Sequence, residues 1–374
     1  MKWVDEYRDP AAIRAVAAAI AAATTRPWTI MEVCGGQTHT IVRWSLPELL
    51  PPMIELVHGP GCPVCVTPAE ILDQARALAL REGAVLATFG DMMRVPGEGG
   101  DLLAARAEGA DVRIVTSPLD ALDLARGLPG REVVLLAVGF ETTAPATAAT
   151  IELAAREGLA NFSALTSHVR VPPAMAMILG DDAARVQGFL AAGHVCTIVG
   201  TGEYPALVER FGVPIVVTGF EPLDLLEGLL ACVRQLEAGR AEVEIQYRRA
   251  VRPEGNPIAS AAVLRVFEIV DAPWRGLGVV PSGGLRIREA FARHDAVRRF
   301  ELAAPRGVSE ADRRCRAAEV LRGPPRRRAR SSAGAAPRSP PRRADGLVRG
   351  ACAAYWRHGR ADEGPIVSGP QILP

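Results

Sequence analysis

Lysine, aromatic residues and long apolar runs are scarce in this sequence. Lys2 is the only lysine, and aromatic residues make up 5% of the 374 residues. No apolar stretch approaches the roughly 18 residues that a membrane-spanning helix needs, so the sequence predicts no such helix. The first six residues carry charges and lack the apolar core of an export signal, so we expect a cytoplasmic protein.

The overall composition is that of a folded protein. Apolar residues make up 49% of the chain and charged residues 23%. The chain is therefore too apolar to be disordered, and it is long enough for two or three domains.

The net charge of +1 conceals an uneven distribution of charge. Residues 313–349 contain twelve arginines and two acidic residues, so the rest of the chain is net negative. An arginine-rich block is typical of nucleic-acid-binding segments. Such segments interleave lysine or aromatic side chains, which residues 324–344 lack, so we expect no nucleic-acid partner. A basic binding module is the alternative, and salt-sensitive binding would identify it.

Apolar stretches alternate with segments that have helical patterns. Asp9-Pro10 is typical of a helix start, and Thr67-Pro68-Ala69-Glu70 predicts a capping box. The alternation predicts an α/β fold, with parallel sheets covered by helices on both faces. The expected strands are Trp28–Val33, Ile54–Val57, Val85–Phe89, Val112–Thr116, Val133–Val138, Val195–Val199 and Ile215–Thr218.

A short internal repeat divides the chain. Val138-Gly139-Phe140-Glu141-Thr142 and Thr218-Gly219-Phe220-Glu221-Pro222 each follow an apolar strand, 80 residues apart. We therefore expect two related α/β domains, at 1–150 and 151–242, followed by a C-terminal region at 243–374.

Three of the seven cysteines fall in glycine-rich turns between a strand and a helix. Cys34 follows a strand, and Cys62 and Cys65 form a CxxC motif. A helix N-terminus favours the thiolate, so these cysteines are candidates for metal or redox chemistry. The alternative for a single cysteine is a small buried apolar residue, which we expect for Cys196. Zinc usually requires a second CxxC or a histidine pair, and the sequence has neither at ligand spacing.

Four further side chains are candidates for the same chemistry. His39, five residues after Cys34, is a candidate metal ligand, and His58 is an alternative. Asp91 and Glu141 each follow a strand and are candidate catalytic acids. The structural alternatives are an ion pair of Asp91 with Arg94 and a cap of the next helix formed by Glu141-Thr142-Thr143.

Together these stretches resemble the HypD family of hydrogenase maturation factors. The resemblance covers nearly the whole chain except about 324–349, in seven motifs that follow in order. It implies two α/β domains around a cleft and a C-terminal iron–sulfur region. The motifs are MEVCGGQTHTI (31–41), HGPGCPVCVTP (58–68), FGDMMRVPG (89–97), GFETTAP (139–145), TGEYPALVERFGVPIVVTGFEPLDLL (201–226), PSGGLRIREAFARHDAVRRF (281–300) and GACAAYWRHG (350–359).

The resemblance also implies a function. The family is a scaffold on which the Fe(CN)2CO group of nickel–iron hydrogenases is built, rather than a conventional turnover enzyme. Cys34 would hold iron together with the partner HypC, and HypE, charged by HypF, would deliver the cyanide ligands. Cys62 and Cys65 would be a thiol pair that passes electrons, and four C-terminal cysteines would carry a [4Fe–4S] cluster.

The chain departs from the family pattern near its C-terminus. Only Cys315 and Cys352 are present as cluster ligands, which puts the cluster in doubt. Residues 324–344 consist only of proline, arginine, alanine, serine and glycine, a composition typical of GC-rich DNA translated out of frame. Our hypothesis is two compensating frame errors, near residues 323 and 350.

A different class of function is compatible with the CxxC motif alone. A stand-alone thiol–disulfide oxidoreductase would use Cys62 and Cys65 and would act on disulfides without a partner protein. Such an enzyme would not need Cys34.

Overall fold

The computed structural model describes residues 2 and 4–307, which form two β-sheets flanked by helices. The first sheet has the strand order β2-β1-β7-β8-β9, and the second has the order β10-β11-β6-β5-β3-β4. The strands are β1 (Trp28–Glu32), β2 (Ile54–His58), β3 (Ala84–Thr88), β4 (Val112–Ile114), β5 (Glu132–Gly139), β6 (Phe162–Val169), β7 (Gly188–Ala192), β8 (Ile215–Thr218), β9 (Val243–Ile245), β10 (Phe267–Trp274) and β11 (Gly278–Ile287).

Thirteen α-helices connect these strands within the described residues, and short 3₁₀ turns lie between them. None of these helices is both long and apolar enough to cross a membrane. The helices are α1 (Pro10–Ala23), α2 (Gly35–Arg43), α3 (Pro63–Val66), α4 (Ala69–Ala79), α5 (Leu102–Ala107), α6 (Pro118–Gly127), α7 (Ala144–Glu157), α8 (Val171–Leu179), α9 (Gly193–Val199), α10 (Tyr204–Phe211), α11 (Pro222–Glu237), α12 (Pro257–Val266) and α13 (Ala296–Arg299).

Parallel pairing dominates both sheets, as the α/β pattern predicts. Every pair of neighbouring strands in the first sheet is parallel, and in the second β11 alone runs antiparallel to its two neighbours, β10 and β6. Successive residues of β1 face different cores, since Ile30 packs in one apolar cluster and Met31 in another. Both faces are therefore buried, which explains the continuous apolar runs of the central strands. The predicted fold class is confirmed.

The two sheets draw on interleaved parts of the chain. The first sheet takes β1 and β2 and then β7 to β9, whereas the second takes β3 to β6 together with the hairpin β10–β11. The expected boundaries at residues 150 and 242 therefore do not coincide with the division between the sheets. The internal repeat does mark equivalent places, because Gly139 ends β5 and Thr218 ends β8.

Two local expectations are wrong. Val195–Val199 is not a strand but part of α9, and the strand before it is β7. A short apolar run fits a strand or a helix equally well. Here residues 188–192 form the strand, because β7 pairs with β1 on one side and with β8 on the other. The capping box at Thr67 does not form, because the Thr67 hydroxyl donates to the carbonyl of Pro63. Pro10 at the first position of α1, with Asp9 as its cap, is confirmed.

An ion pair between a buried aspartate and a half-buried arginine links the N-terminal segment to the first sheet. The carboxylate of Asp224, which is fully buried on α11, accepts two hydrogen bonds from Arg249, at 2.7 and 2.5 Å. The Arg249 guanidinium lies between the rings of Tyr7 and Tyr247, 3.9 and 4.4 Å from their centres. Tyr247 in turn contacts Phe220 edge to face, so the pair supports an aromatic side chain that follows β8.

We expect Asp224→Ala to lower the free energy of unfolding by about 3 kcal/mol, since it removes the partner of the half-buried Arg249 charge and the acceptor of hydrogen bonds from Gln246 and the Glu221 N–H. Urea unfolding of the full chain measures the change. The matched control is Glu242→Ala, which removes the exposed ion pair with Arg240 and should cost less than about 1 kcal/mol. Equal effects of the two substitutions would contradict this account.

Candidate functional site

A cleft of about 720 Å³ lies where the carboxyl ends of the two sheets face each other. This is the edge at which parallel α/β sheets bind ligands. From the first sheet, residues that follow β1, β2, β7 and β8 line it: Cys34, Gly61, His194 and Phe220. From the second sheet, residues at or after the ends of β3 and β5 line it, among them Asp91, Phe140, Thr142 and Thr143.

Cys34 is a buried thiol at the start of α2. It follows β1 directly, its side chain is the N-cap of the helix, and the Gly36 N–H donates to its sulfur at 3.4 Å. Burial raises the pKa of Cys34 to about 12, which outweighs the hydrogen bonds from the backbone of Gln37 and Gly36. The expected lowering by the helix terminus is therefore wrong for this cysteine, because desolvation is the larger effect. Cys34 is a thiol until a cation replaces its proton.

His194 is the side chain beside Cys34 that the sequence did not indicate. Its Nδ1 and Nε2 lie 3.7 and 3.9 Å from the Cys34 sulfur, and its ring packs against Phe220 with centres 5.0 Å apart. Burial lowers the pKa of His194, which favours the neutral imidazole. The expected strand Val195–Val199 would put His194 at the amino end of a strand, whereas the structure puts it directly after β7, at the carboxyl end. A Gly-His pair directly after an apolar run was the available signal.

His39 does not share this site. It lies on α2 with an exposed side chain and is not among the residues that line the cleft. Five residues at about 100° each rotate His39 well away from the helix face that carries Cys34. Within residues 4–307 no group of three or more histidine, cysteine or acidic side chains forms a metal site. The geometry thus favours His194 over His39 as the neighbour of a metal on Cys34.

Cys62 and Cys65 face each other at the start of α3. The Cys65 N–H donates to the Cys62 sulfur at 3.2 Å, and the two sulfurs are 2.7 Å apart in the thiol form. A disulfide requires about 2.05 Å, so a small movement would join them. Both side chains are half-buried, which leaves the pair accessible to another thiol or disulfide.

The two acidic candidates have different surroundings. Asp91 lies on the cleft wall, and partial desolvation together with the nearby Cys62 thiol raises its pKa, although its side chain reaches solvent. Glu141 is buried behind the wall, where it accepts a hydrogen bond from the Val171 N–H at 2.8 Å. Burial raises the pKa of Glu141 to about 7. Of the segment Glu141-Thr142-Thr143, Thr143 is the N-cap residue of α7, but no side chain forms a capping hydrogen bond there.

A family profile described as "Hydrogenase formation hypA family", under the name HypD, matches residues 11–359. The chain belongs to the HypD family.

Individual relatives agree with the family assignment. The chain is 48% identical to Hydrogenase maturation factor HypD of Azotobacter vinelandii, over 96% of this chain and 97% of that protein. It is 45% identical to HypD of Rhodobacter capsulatus, over 96% and 99% of the two chains. Against HypD of Escherichia coli the identity is 44%, over 86% and 88%. The predicted membership in this hydrogenase maturation family is confirmed.

The expected iron–sulfur ligands of this HypD-family chain, Cys315 and Cys352, lie outside the described residues. So does the arginine-rich segment at 324–349. The frame-error hypothesis and the cluster ligands therefore stay predictions.

We expect Glu141→Gln to change how stability depends on pH. The pKa of Glu141 is higher in the folded chain, about 7, than its ordinary 4.5, so the wild type loses stability as pH rises through this range. The variant does not ionise at this position, so its stability should rise relative to wild type by on the order of 3 kcal/mol between about pH 5 and pH 8. Urea unfolding at the two pH values measures the difference. Parallel pH profiles would contradict the buried position of this carboxyl.

Proposed function

We propose that this chain is a scaffold for assembly of the Fe(CN)2CO group of nickel–iron hydrogenases, with Cys34 as its iron-binding thiolate. The observation that carries the proposal is the position of Cys34. Its sulfur lies 3.7 Å from a His194 nitrogen, in a cleft between two sheets, and the chain belongs to the HypD family. Membership in a hydrogenase maturation family suggests that the cargo is an iron group of a hydrogenase, and the cleft is where we expect that group to bind.

Few protein ligands suit this cargo. Thiolate is a soft donor that matches low-valent iron, and cyanide and carbon monoxide occupy most of the coordination sites themselves. In the described part of the cleft, Cys34 is the thiol and His194 the neighbouring imidazole. A thiolate from the partner HypC would complete the set. His194 is adjacent to this thiol, and because burial favours its neutral form it would relay, and not retain, the proton that Cys34 loses when iron binds.

Cys62 and Cys65 supply the electrons in this proposal. The bound cargo would take up two electrons as the two thiols join in a disulfide and release two protons, and an external thiol reductant would then restore the dithiol. Asp91 lies near Cys62, and its raised pKa suits it to take up one of these protons. Glu141 does not line the cleft, so we assign it a positioning role through its hydrogen bond to Val171.

HypC, HypE and HypF are the partners we propose. HypC would bind across the cleft and share the iron, and HypE, charged by HypF, would deliver cyanide-derived ligands. Membership in the HypD family supports these assignments. A cytoplasmic location, which we also propose, would keep Cys34, Cys62 and Cys65 reduced.

A [4Fe–4S] cluster does not fit this chain as it stands. Such a cluster takes four thiolates, and beyond residue 300 the sequence offers only Cys315 and Cys352. The remaining cysteines do not make up the number, because Cys196 and Cys232 are each buried in a different apolar core of the first sheet. We therefore derive no step through a cluster.

We expect Cys34→Ala to abolish iron binding by the complex with HypC. Iron(II) is added anaerobically to the reduced chain and HypC of a relative, and iron is measured after gel filtration. The wild type should retain about one iron per complex, since one thiolate from each partner is needed. The matched control is Cys232→Ala, which removes another buried thiol away from the cleft and should retain iron.

The competing function is a stand-alone thiol–disulfide oxidoreductase, which the adjacent sulfurs of Cys62 and Cys65 favour. It predicts that the chain reduces a generic disulfide catalytically without HypC, at equal rates in the wild type and in Cys34→Ala. That result, together with iron retention by Cys34→Ala, would contradict the scaffold proposal.

A further inference from the structure

We propose that Glu32 is a positioning residue that fixes two thiol-bearing segments to each other. We call residues 34–38 the Cys34 turn and residues 58–65 the dithiol loop. Glu32 ends β1 and pairs in register with His58, which ends β2. This inference deepens the proposed function, on which it rests for the roles of the thiols.

The Glu32 carboxylate joins the two segments directly. One oxygen accepts the Cys34 N–H at 2.8 Å. The other accepts the Thr38 hydroxyl and lies 2.6 Å from Nδ1 of His58, so the imidazole donates from that nitrogen. Two donors come from the Cys34 turn and one from the dithiol loop. Loss of any one of them leaves the carboxylate less well compensated in a buried position.

The main chain reinforces the same junction. The Gly59 N–H donates to the carbonyl of Glu32 at 2.8 Å, and the Gly35 N–H donates to the carbonyl of Gly61 at 2.9 Å. A Cβ on Gly61 would lie 2.5 Å from the Cα of Cys34, so the backbones touch there. A shift of the dithiol loop therefore reaches Cys34 through the backbone as well as through Glu32.

The position of Glu32 in the strand argues for a role beyond packing. It is fully buried between Met31 and Val33, which are buried as well. A buried carboxylate at this position lowers the stability of the fold, relative to an apolar residue of similar size, unless its hydrogen bonds compensate for the loss of solvation. All the side-chain hydrogen bonds that Glu32 accepts come from the Cys34 turn and the dithiol loop. We therefore infer that Glu32 holds these two segments together.

The first test is Glu32→Gln in the full chain, reduced and free of iron. Glutamine keeps the shape but replaces one acceptor oxygen with a donor, so it does not accept all three hydrogen bonds. The Cys34 turn should open more often, and iodoacetamide should alkylate Cys34 about tenfold to a hundredfold faster, as peptide mass spectrometry measures. The matched control is Glu55→Gln on β2, where the exposed carboxylate accepts only from Thr29, and the rate should stay at the wild-type value.

A second pair of variants changes the hydrogen bond that Glu32 accepts from the dithiol loop. His58→Leu removes the donor to Glu32, whereas His58→Asn retains an N–H near the position of Nδ1. We expect His58→Leu to accelerate alkylation of Cys34 and His58→Asn to restore a rate within about threefold of wild type. Both variants replace the imidazole with a smaller side chain, but only asparagine can donate to Glu32. A slower alkylation rate in His58→Asn than in His58→Leu therefore reports the hydrogen bond.

The outcomes separate this inference from the proposed function. Wild-type alkylation rates in Glu32→Gln, or equal rates in the two His58 variants, would overturn the positioning role. If Glu32→Gln does not fold, the His58 pair decides. If the variants alter alkylation while the wild type binds no iron with HypC, the positioning role stands and the scaffold proposal fails.

Discussion

The parallel pairing of β1 with β2 is the constraint on which the site depends. It sets Glu32 opposite His58, so that the turns after the two strands leave the sheet side by side. One turn carries Cys34 and the other leads to Cys62 and Cys65. Glycines at 59 and 61 allow backbone contact that a side chain would prevent. The segments that carry the thiols are thus neighbours because of strand register, although Cys62 lies about thirty residues further along the chain.

The second sheet completes the site from the opposite side. Its strands β3 and β5 end towards the same cleft and place Asp91 and Phe140 across from Cys34 and His194. The interleaving of the chain, with β7 to β9 returning to the first sheet, ties the two walls together. A change in the register of β1 with β2 would displace the segments that carry the cysteines.

Local patterns in the sequence were sufficient for part of this picture. The apolar run of β5 and the glycine-rich stretch around Cys34 predict a strand and a strand-to-helix turn that the structure contains. The pairing of β1 with β7 could not be predicted from the sequence, because the partners lie more than 150 residues apart and no local pattern identifies them as neighbours. His194 was missed because a short apolar run does not separate strand from helix. His39 was misplaced because spacing along the chain ignores helical phase.

The chemistry follows from a competition between burial and the helix terminus at Cys34. Burial prevails and keeps the thiol protonated, so that a bound metal must displace the proton. The most direct measurement is the infrared spectrum of the chain purified after co-expression with HypC, HypE and HypF. The account predicts cyanide and carbon monoxide stretching bands in the wild type and none in Cys34→Ser. Bands that persist in Cys34→Ser, or a wild type that holds iron without them, would contradict it.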